Sequence, residues 1–235
     1  MANRIHRTAI IGDGVELGDD NIIGPYSIVL GPCRIGDGNW IGPHVTIGTP
    51  GEHRDGPHPV GWDGELDGQG VHIGDRNRIR EYVAVHQGTQ RETRIGNGCY
   101  FLARSHVAHD SIVGDEVTLT SSVQLGGHVE VWSQANLGLG AVVHQRGRIG
   151  PGAMIGMGAV VRREIGAFVI AVGVPARVSG INAVGLRRRG CAEATIEALA
   201  PLLTDGIVRG VDEPHVEGVP HDVQLLLKAW ADRER

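Results

Sequence analysis

A six-residue beat governs most of this chain. From Ile95 an aliphatic or aromatic residue recurs at every sixth position for twelve units, through Phe101, Val107, Val113, Leu119, Leu125, Val131, Leu137, Val143, Ile149, Ile155 and Val161. Ile11, Leu17, Ile23, Val29, Ile35, Ile41 and Ile47 keep the same spacing earlier, glycine directly follows most of them, and Ile73, Ile79 and Val85 form a third, shorter run. A period of six fits neither a helix nor an unbroken strand, but it matches short strands joined by recurring turns. If each hexad forms one flat side and three sides close a coil, one inward aliphatic per side stacks into a continuous core. A coil then takes eighteen residues, and residues eighteen apart lie one above the other at about 4.8 Å. This predicts a mainly β, parallel β-helical solenoid over residues 1–178.

The beat breaks twice. The segment from Thr49 to Gly70 is rich in Gly, Pro, Asp and His and contains Trp62, which reads as a loop excursion over a site. The shorter break, Arg91 to Arg94, reads as a plain turn. After Pro175 the beat stops and helical spacing takes over, with Ile196, Leu199 and Leu203 on one face and Val223, Leu226, Leu227 and Trp230 on another. A boundary near residues 176–180 therefore separates the solenoid from a small α-helical domain over residues 179–235.

Composition narrows the class. None of the apolar runs approaches the ~20 residues of a membrane helix, and the N-terminus enters the hexads without the apolar stretch of a signal peptide. The expectation is a cytoplasmic protein without a membrane span. A net charge of −5 argues against nucleic acid as the main partner. Cys33, Cys99 and Cys191 are odd in number and scattered, so they read as reduced packing residues, with no role in metal binding or nucleophilic catalysis.

Nine of the twelve histidines lie between His44 and His144, and coil arithmetic says which of them meet. His109, Gly127 and Gln145 share one column, and Asp110, His128 and Arg146 share the next. Acyl transfer needs a general base near neutral pKa, an orienting partner and an N–H aimed at the developing oxyanion. His109, Asp110 and the Gly127 backbone can supply these, although outward histidines on a solenoid can also be merely solvated.

Several stretches carry a resemblance: VHIGDRNRIREYVAVHQGT from Val71, SHVAHD from Ser105, LGGHV from Leu125, AVVHQ from Ala141 and GINAVGLRRRG from Gly180. In this order and spacing they look like the acyl-carrier-protein-dependent UDP-N-acetylglucosamine O-acyltransferase family of lipid A biosynthesis. The resemblance implies a homotrimer of left-handed β-helices with active sites between subunits. It implies His109 as general base, Asp110 as its partner and Gly127 as the oxyanion donor. His106, His128, His144 and Gln145 match cleft-lining positions, while Asn182 and Arg188 match positions that hold the nucleotide. Arg188 also has an independent reading, because a guanidinium fork suits a diphosphate. No tightly bound cofactor and no metal is implied; the donor is a phosphopantetheine thioester on acyl carrier protein.

The departures fall on the substrate side. The 49–70 loop does not reproduce the family's sugar-contacting segment, and Val184 stands where the family can carry glutamate. Met157 matches the position of the family's chain-length ruler, where glycine leaves the acyl groove open. Its outward phase, with Leu139 and Ser121 in the same column, suggests a partly apolar wall that methionine shortens. The expected reaction moves a medium-chain, 3-hydroxylated acyl group to a UDP-linked hexosamine. Alternatives are an N- or O-acyltransferase acting on an amino-deoxy nucleotide sugar with acyl-CoA or acyl carrier protein, and a non-catalytic or γ-carbonic-anhydrase-like trimer holding metal through His106, His128 and His144.

Overall fold

The computed structural model describes residues 2–54, 68–204 and 216–233. Residues 55–67, which include Trp62, lie outside the described residues. The chain winds as a left-handed parallel β-helix whose successive short strands pass from one face to the next. Among the described residues the three faces hold ten, eight and seven strands, here called the first, second and third face. Registers follow the eighteen-residue coil: Phe101 stacks under Leu119, Leu119 under Leu137 and Leu137 under Ile155. The inward hexad residues from Ile95 to Val161 are no more than 3% exposed. Ile11 and Leu17, in the first coil, are only half-buried because no coil lies beneath them.

The hexad also solves the hydrogen bonding of its turns. Asn21, Asn39 and Asn77 are buried at one corner, where each side-chain oxygen accepts a backbone N–H from the coil above: Asn39 at 2.9 Å, Asn77 at 2.8 Å and Cys99 at 2.7 Å. Buried backbone groups are costly when unpaired, so this ladder spans positions the parallel sheets leave open. Cys33 and Cys99 are buried too, and burial pushes both thiols up to about 12. They are therefore protonated and poor nucleophiles at neutral pH.

Both breaks open at the same corner. Strands Thr46–Thr49 and Ala84–His86 lie on the second face, and the strands that follow them, Val71–Ile73 and Thr93–Ile95, lie on the third. Ile35 pairs with Ile73, twenty residues beyond a plain coil, and Ile73 pairs with Ile95, four residues beyond one. The two excursions are tied together by Gly88 N–H donating to the Gly70 carbonyl at 3.0 Å and Gln69 N–H donating to the Gly88 carbonyl at 2.9 Å. The next coil up carries His109 and Asp110 between His106–Val107 and Ile112–Val113, again from second face to third.

Above the last full coil, strand Val169–Val172 pairs antiparallel with Arg177–Ile181. Three helices follow: α1 (Ala183–Arg188), α2 (Glu193–Thr204) and α3 (His221–Asp232). On α2 the expected Ile196, Leu199 and Leu203 are buried; on α3 Val223, Leu227 and Trp230 are buried and Leu226 is half-buried beside them. Trp230 meets the solenoid's Trp132 edge to face at 5.2 Å, and Arg189 pairs with Glu116 and Asp222. None of the described helices is long and apolar enough to cross a membrane.

Candidate active site

The chain that leads into the short break does more than turn. The backbone of Thr89, Gln90 and Arg91, the first residue of the break, wraps the carboxylate of Asp110 one coil above: Oδ1 accepts their N–H groups at 3.0, 2.7 and 2.7 Å respectively. Oδ2 accepts the Thr89 hydroxyl at 2.7 Å, and Arg91 Nε donates back to the Asp110 carbonyl at 2.7 Å. The reading of this break as a plain turn is thus corrected: it is a cradle. Burial alone would push the Asp110 carboxyl up. The hydrogen bonds from Arg91, His109, Thr89 and Gln90 outweigh it and hold the group well below the usual carboxylate range. Asp110 also takes the left-handed backbone, φ 62°, that this corner requires, which aspartate tolerates better than most side chains.

His109 shares the other side of that carboxylate. Its Nδ1 lies 2.6 Å from Asp110 Oδ2. A carboxylate can only accept, so Nδ1 is the donor in this pair; in the neutral imidazole that tautomer leaves the lone pair on Nε2. His128, one coil up, places Nε2 at 3.6 Å from the same oxygen, with its ring edge-on to His109 at 5.3 Å. Burial, helped by the charge of Arg146, lowers the His128 pKa against the pull of Asp110.

Gly127 forms the wall behind the base. A methyl group built on its Cα would sit 2.7 Å from both Cε1 and Nε2 of His109, so the absent side chain is what lets the imidazole lie there. Among the described residues the Gly127 N–H finds no acceptor, while its neighbours Gly126 and His128 donate to Val143 and His109 carbonyls at 3.0 Å each. Gly127→Ala is expected to fold, since the atoms it would strike end a side chain. It should displace His109 from Asp110 and cut turnover by about 10²-fold, the usual contribution of a positioned base. Steady-state rates beside a thermal melt of the variant test this.

The remaining site residues disperse. His106 packs against His86, ring centroids 4.8 Å apart, with Glu52 Oε2 3.7 Å from its Nε2. Burial lowers the pKa of His106, and burial with the neighbouring His106 holds His86 near 4. His144 and Gln145 occupy the same corner two coils above His109 and are exposed, with His144 Nδ1 3.1 Å from the Gln145 carbonyl. Asn182 caps α1, accepting from the Gly185 N–H and donating to the Gly152 carbonyl, both at 2.9 Å, so its amide is engaged inside the fold. Arg188 is exposed on α1. Among the described residues Arg187 and Arg189 have carboxylate partners, Glu193 for one and Glu116 with Asp222 for the other, and Arg188 has none. Met157 is 74% exposed at a different corner, between the first and second faces. Sequence reasoning missed the roles of Thr89, Gln90 and Arg91: Thr89 ends the first of the quoted stretches, and Gln90 and Arg91 carry no signal beyond the four-residue slip at the corner of His109.

Known proteins share this fold and much of this sequence. The model for bacterial transferase hexapeptides (six repeats) matches residues 14–49, and that for UDP N-acetylglucosamine O-acyltransferase, domain 2, matches residues 165–203. LpxA from Acinetobacter baumannii superposes with a TM-score of 0.72 at 27% identity, covering 100% of this chain and 96% of that one. The UDP-N-acetylglucosamine acyltransferase LpxA from Bacteroides fragilis gives 0.69 at 25% identity, with 99% and 96% covered. The acyl-[acyl-carrier-protein]–UDP-N-acetylglucosamine O-acyltransferase of Campylobacter concisus is 34% identical over 206 residues, 79% of this chain and 76% of its own. The enzyme of the same name from Halorhodospira halophila is 38% identical over 214 residues, 82% and 80% respectively. Identity at that level across most of both chains, on one shared coil, places this chain in the acyl-[acyl-carrier-protein]–UDP-N-acetylglucosamine O-acyltransferase family.

Proposed function

We propose that this chain is an acyltransferase that moves an acyl group from acyl carrier protein to a hydroxyl of UDP-N-acetylglucosamine, with His109 as the general base. The observation that carries the reading is one imidazole held between a caged carboxylate and a bare glycine backbone. His109 Nε2 takes the proton of the acceptor hydroxyl as its oxygen attacks the thioester carbonyl carbon. The Gly127 N–H donates to the oxyanion of the tetrahedral intermediate, where a fixed donor counts most. Collapse breaks the carbon–sulfur bond, and the proton on Nε2 passes to the leaving thiolate. Asp110 remains ionised throughout and stabilises the imidazolium that forms between the two transfers. No covalent enzyme intermediate and no bound cofactor is required; the phosphopantetheine arrives on its carrier.

The substrate side extends from this centre. His106, His128, His144 and Gln145 line the acceptor cleft, and the exposed guanidinium fork of Arg188 suits the diphosphate. A closed homotrimer brings the corner holding Met157 on one subunit to the His109 corner of the next, so each site is shared. In the cytoplasm such an enzyme supplies acylated nucleotide sugar for lipid A. Methionine at the ruler position limits the donor to a medium, 3-hydroxylated chain.

One assay tests these points together. Acyl carrier protein and coenzyme A thioesters of graded length are incubated with UDP-N-acetylglucosamine or its 3-amino analogue and read by mass spectrometry. The expected product is UDP-N-acetylglucosamine heavier by one acyl group; no acylated product from any pairing refutes the function. Met157→Gly should shift the preferred donor to longer chains, each newly buried methylene contributing up to about 0.8 kcal/mol. An identical ranking in parent and variant refutes the ruler.

A further inference from the structure

Both backbone polar groups of Asp110 are held by side chains from the short break. Its N–H donates to the Thr93 hydroxyl at 2.9 Å, and its carbonyl accepts from Arg91 Nε at 2.7 Å. The same corner is built differently one and two coils higher. There the left-handed residues His128 and Arg146 donate their N–H groups to the backbone carbonyls of His109 and Gly127 below, at 3.0 and 2.9 Å. Ala84 pairs with His106 and Arg94 with Ile112, so the four-residue slip lies directly beneath His109 and Asp110. The Thr93 hydroxyl takes the place of the carbonyl that the slip displaces.

Each of the two side chains is itself fixed. Thr93 opens a third-face strand, pairs with Val71, donates its own N–H to the Gly70 carbonyl at 3.1 Å and is buried, as Asp110 is. Arg91 is anchored at its far end: Nη1 lies 3.4 Å from Glu130 Oε1, and Glu130 Oε2 lies 3.4 Å from Arg148 Nε one coil higher. Partly exposed ion pairs of this kind add little stability. What they fix here is where the guanidinium points. A left-handed backbone is uncommon outside glycine and persists where its surroundings over-determine it, and Asp110 holds φ at 62°. Rotation out of that conformation would swing its carboxylate away from His109 Nδ1, now 2.6 Å away. We propose that Thr93 and Arg91 are positioning residues: through the backbone of Asp110 they keep its carboxylate in line with His109 Nδ1, and Glu130 anchors Arg91. This rests on His109 being the base of the acyl transfer.

Full-length variants are assayed with an acyl carrier protein thioester and UDP-N-acetylglucosamine. Thr93→Val keeps the side chain's shape and removes the acceptor. Its kcat should fall by roughly tenfold or more, since small displacements of reacting groups are expensive, while KM stays within about twofold. Thr93→Ser restores the hydroxyl and should return kcat to within about threefold of the parent. A role in packing alone predicts otherwise, because serine lacks the buried methyl group that valine keeps. The low-field proton NMR signal of His109 Nδ1, identified by its absence from His109→Ala, should move or vanish in Thr93→Val and persist in Thr93→Ser. Arg91→Met keeps the backbone N–H in the cradle and should follow Thr93→Val; it decides the matter if the valine variant does not fold. Parent-like kcat in either folded variant, a loss confined to KM, or a serine variant as slow as the valine one overturns the proposal. A parent that forms no acylated product refutes acyl transfer instead, and the His109 proton signal then still decides whether Thr93 and Arg91 hold the pair.

Discussion

Replacing His109 with alanine is expected to leave the fold intact and to lower kcat/KM by roughly 10² or more. The side chain sits on a corner outside the hexad core, and Asp110 keeps its four hydrogen bonds from Thr89, Gln90 and Arg91 when the imidazole goes. Stability should therefore change little. The loss should fall on kcat, because the proton moves only as the transition state forms, while KM reports contacts made before it. Gly127 would still offer its N–H, which is why some residual rate should survive. Steady-state kinetics alongside a thermal melt decide the matter: activity within threefold of the parent in a folded variant would sink His109 as the base.

How much of this was legible in the sequence depends on period. The inward residues repeat every six positions without exception from Ile95 to Val161, so coil, core and the juxtaposition of His109 with Gly127 follow from counting. Where the period breaks, counting loses its grip. The quoted stretch ends at Thr89, and Gln90 and Arg91 beyond it carry no motif of their own. Only the structure shows that their slip falls at the second-to-third corner, where the backbone N–H groups of Thr89, Gln90 and Arg91 converge on Asp110. Backbone donors have no side-chain signature, so such a cradle is silent in sequence. The asparagine ladder was readable in principle, since Asn21 and Asn39 are one coil apart, but the long excursion shifts Asn77 out of step.

Asp110→Asn should lower kcat by roughly 10²-fold or more, through proton placement. The amide oxygen can replace Oδ1 and accept the N–H groups of Thr89, Gln90 and Arg91, which puts the NH₂ where Oδ2 now faces His109 Nδ1 at 2.6 Å. That NH₂ can only donate, so Nδ1 must become the acceptor and the proton moves to Nε2. A base already protonated at its working nitrogen cannot take the acceptor's proton, and no carboxylate remains to stabilise an imidazolium. Stability supplies a second signature. The folded Asp110 carboxyl titrates below its unfolded value of about 3.9, so its contribution is complete above that pH and is lost as pH falls through the folded value. Asparagine does not titrate. The parent should thus be more stable than the variant by a constant margin from about pH 5 upward, and the margin should shrink below about pH 4. Urea unfolding of both proteins at pH 7 and near pH 3 measures it. A margin that stays the same at both values would show that the cradle does not hold an ionised carboxylate, and His109 would lose the partner that sets its tautomer.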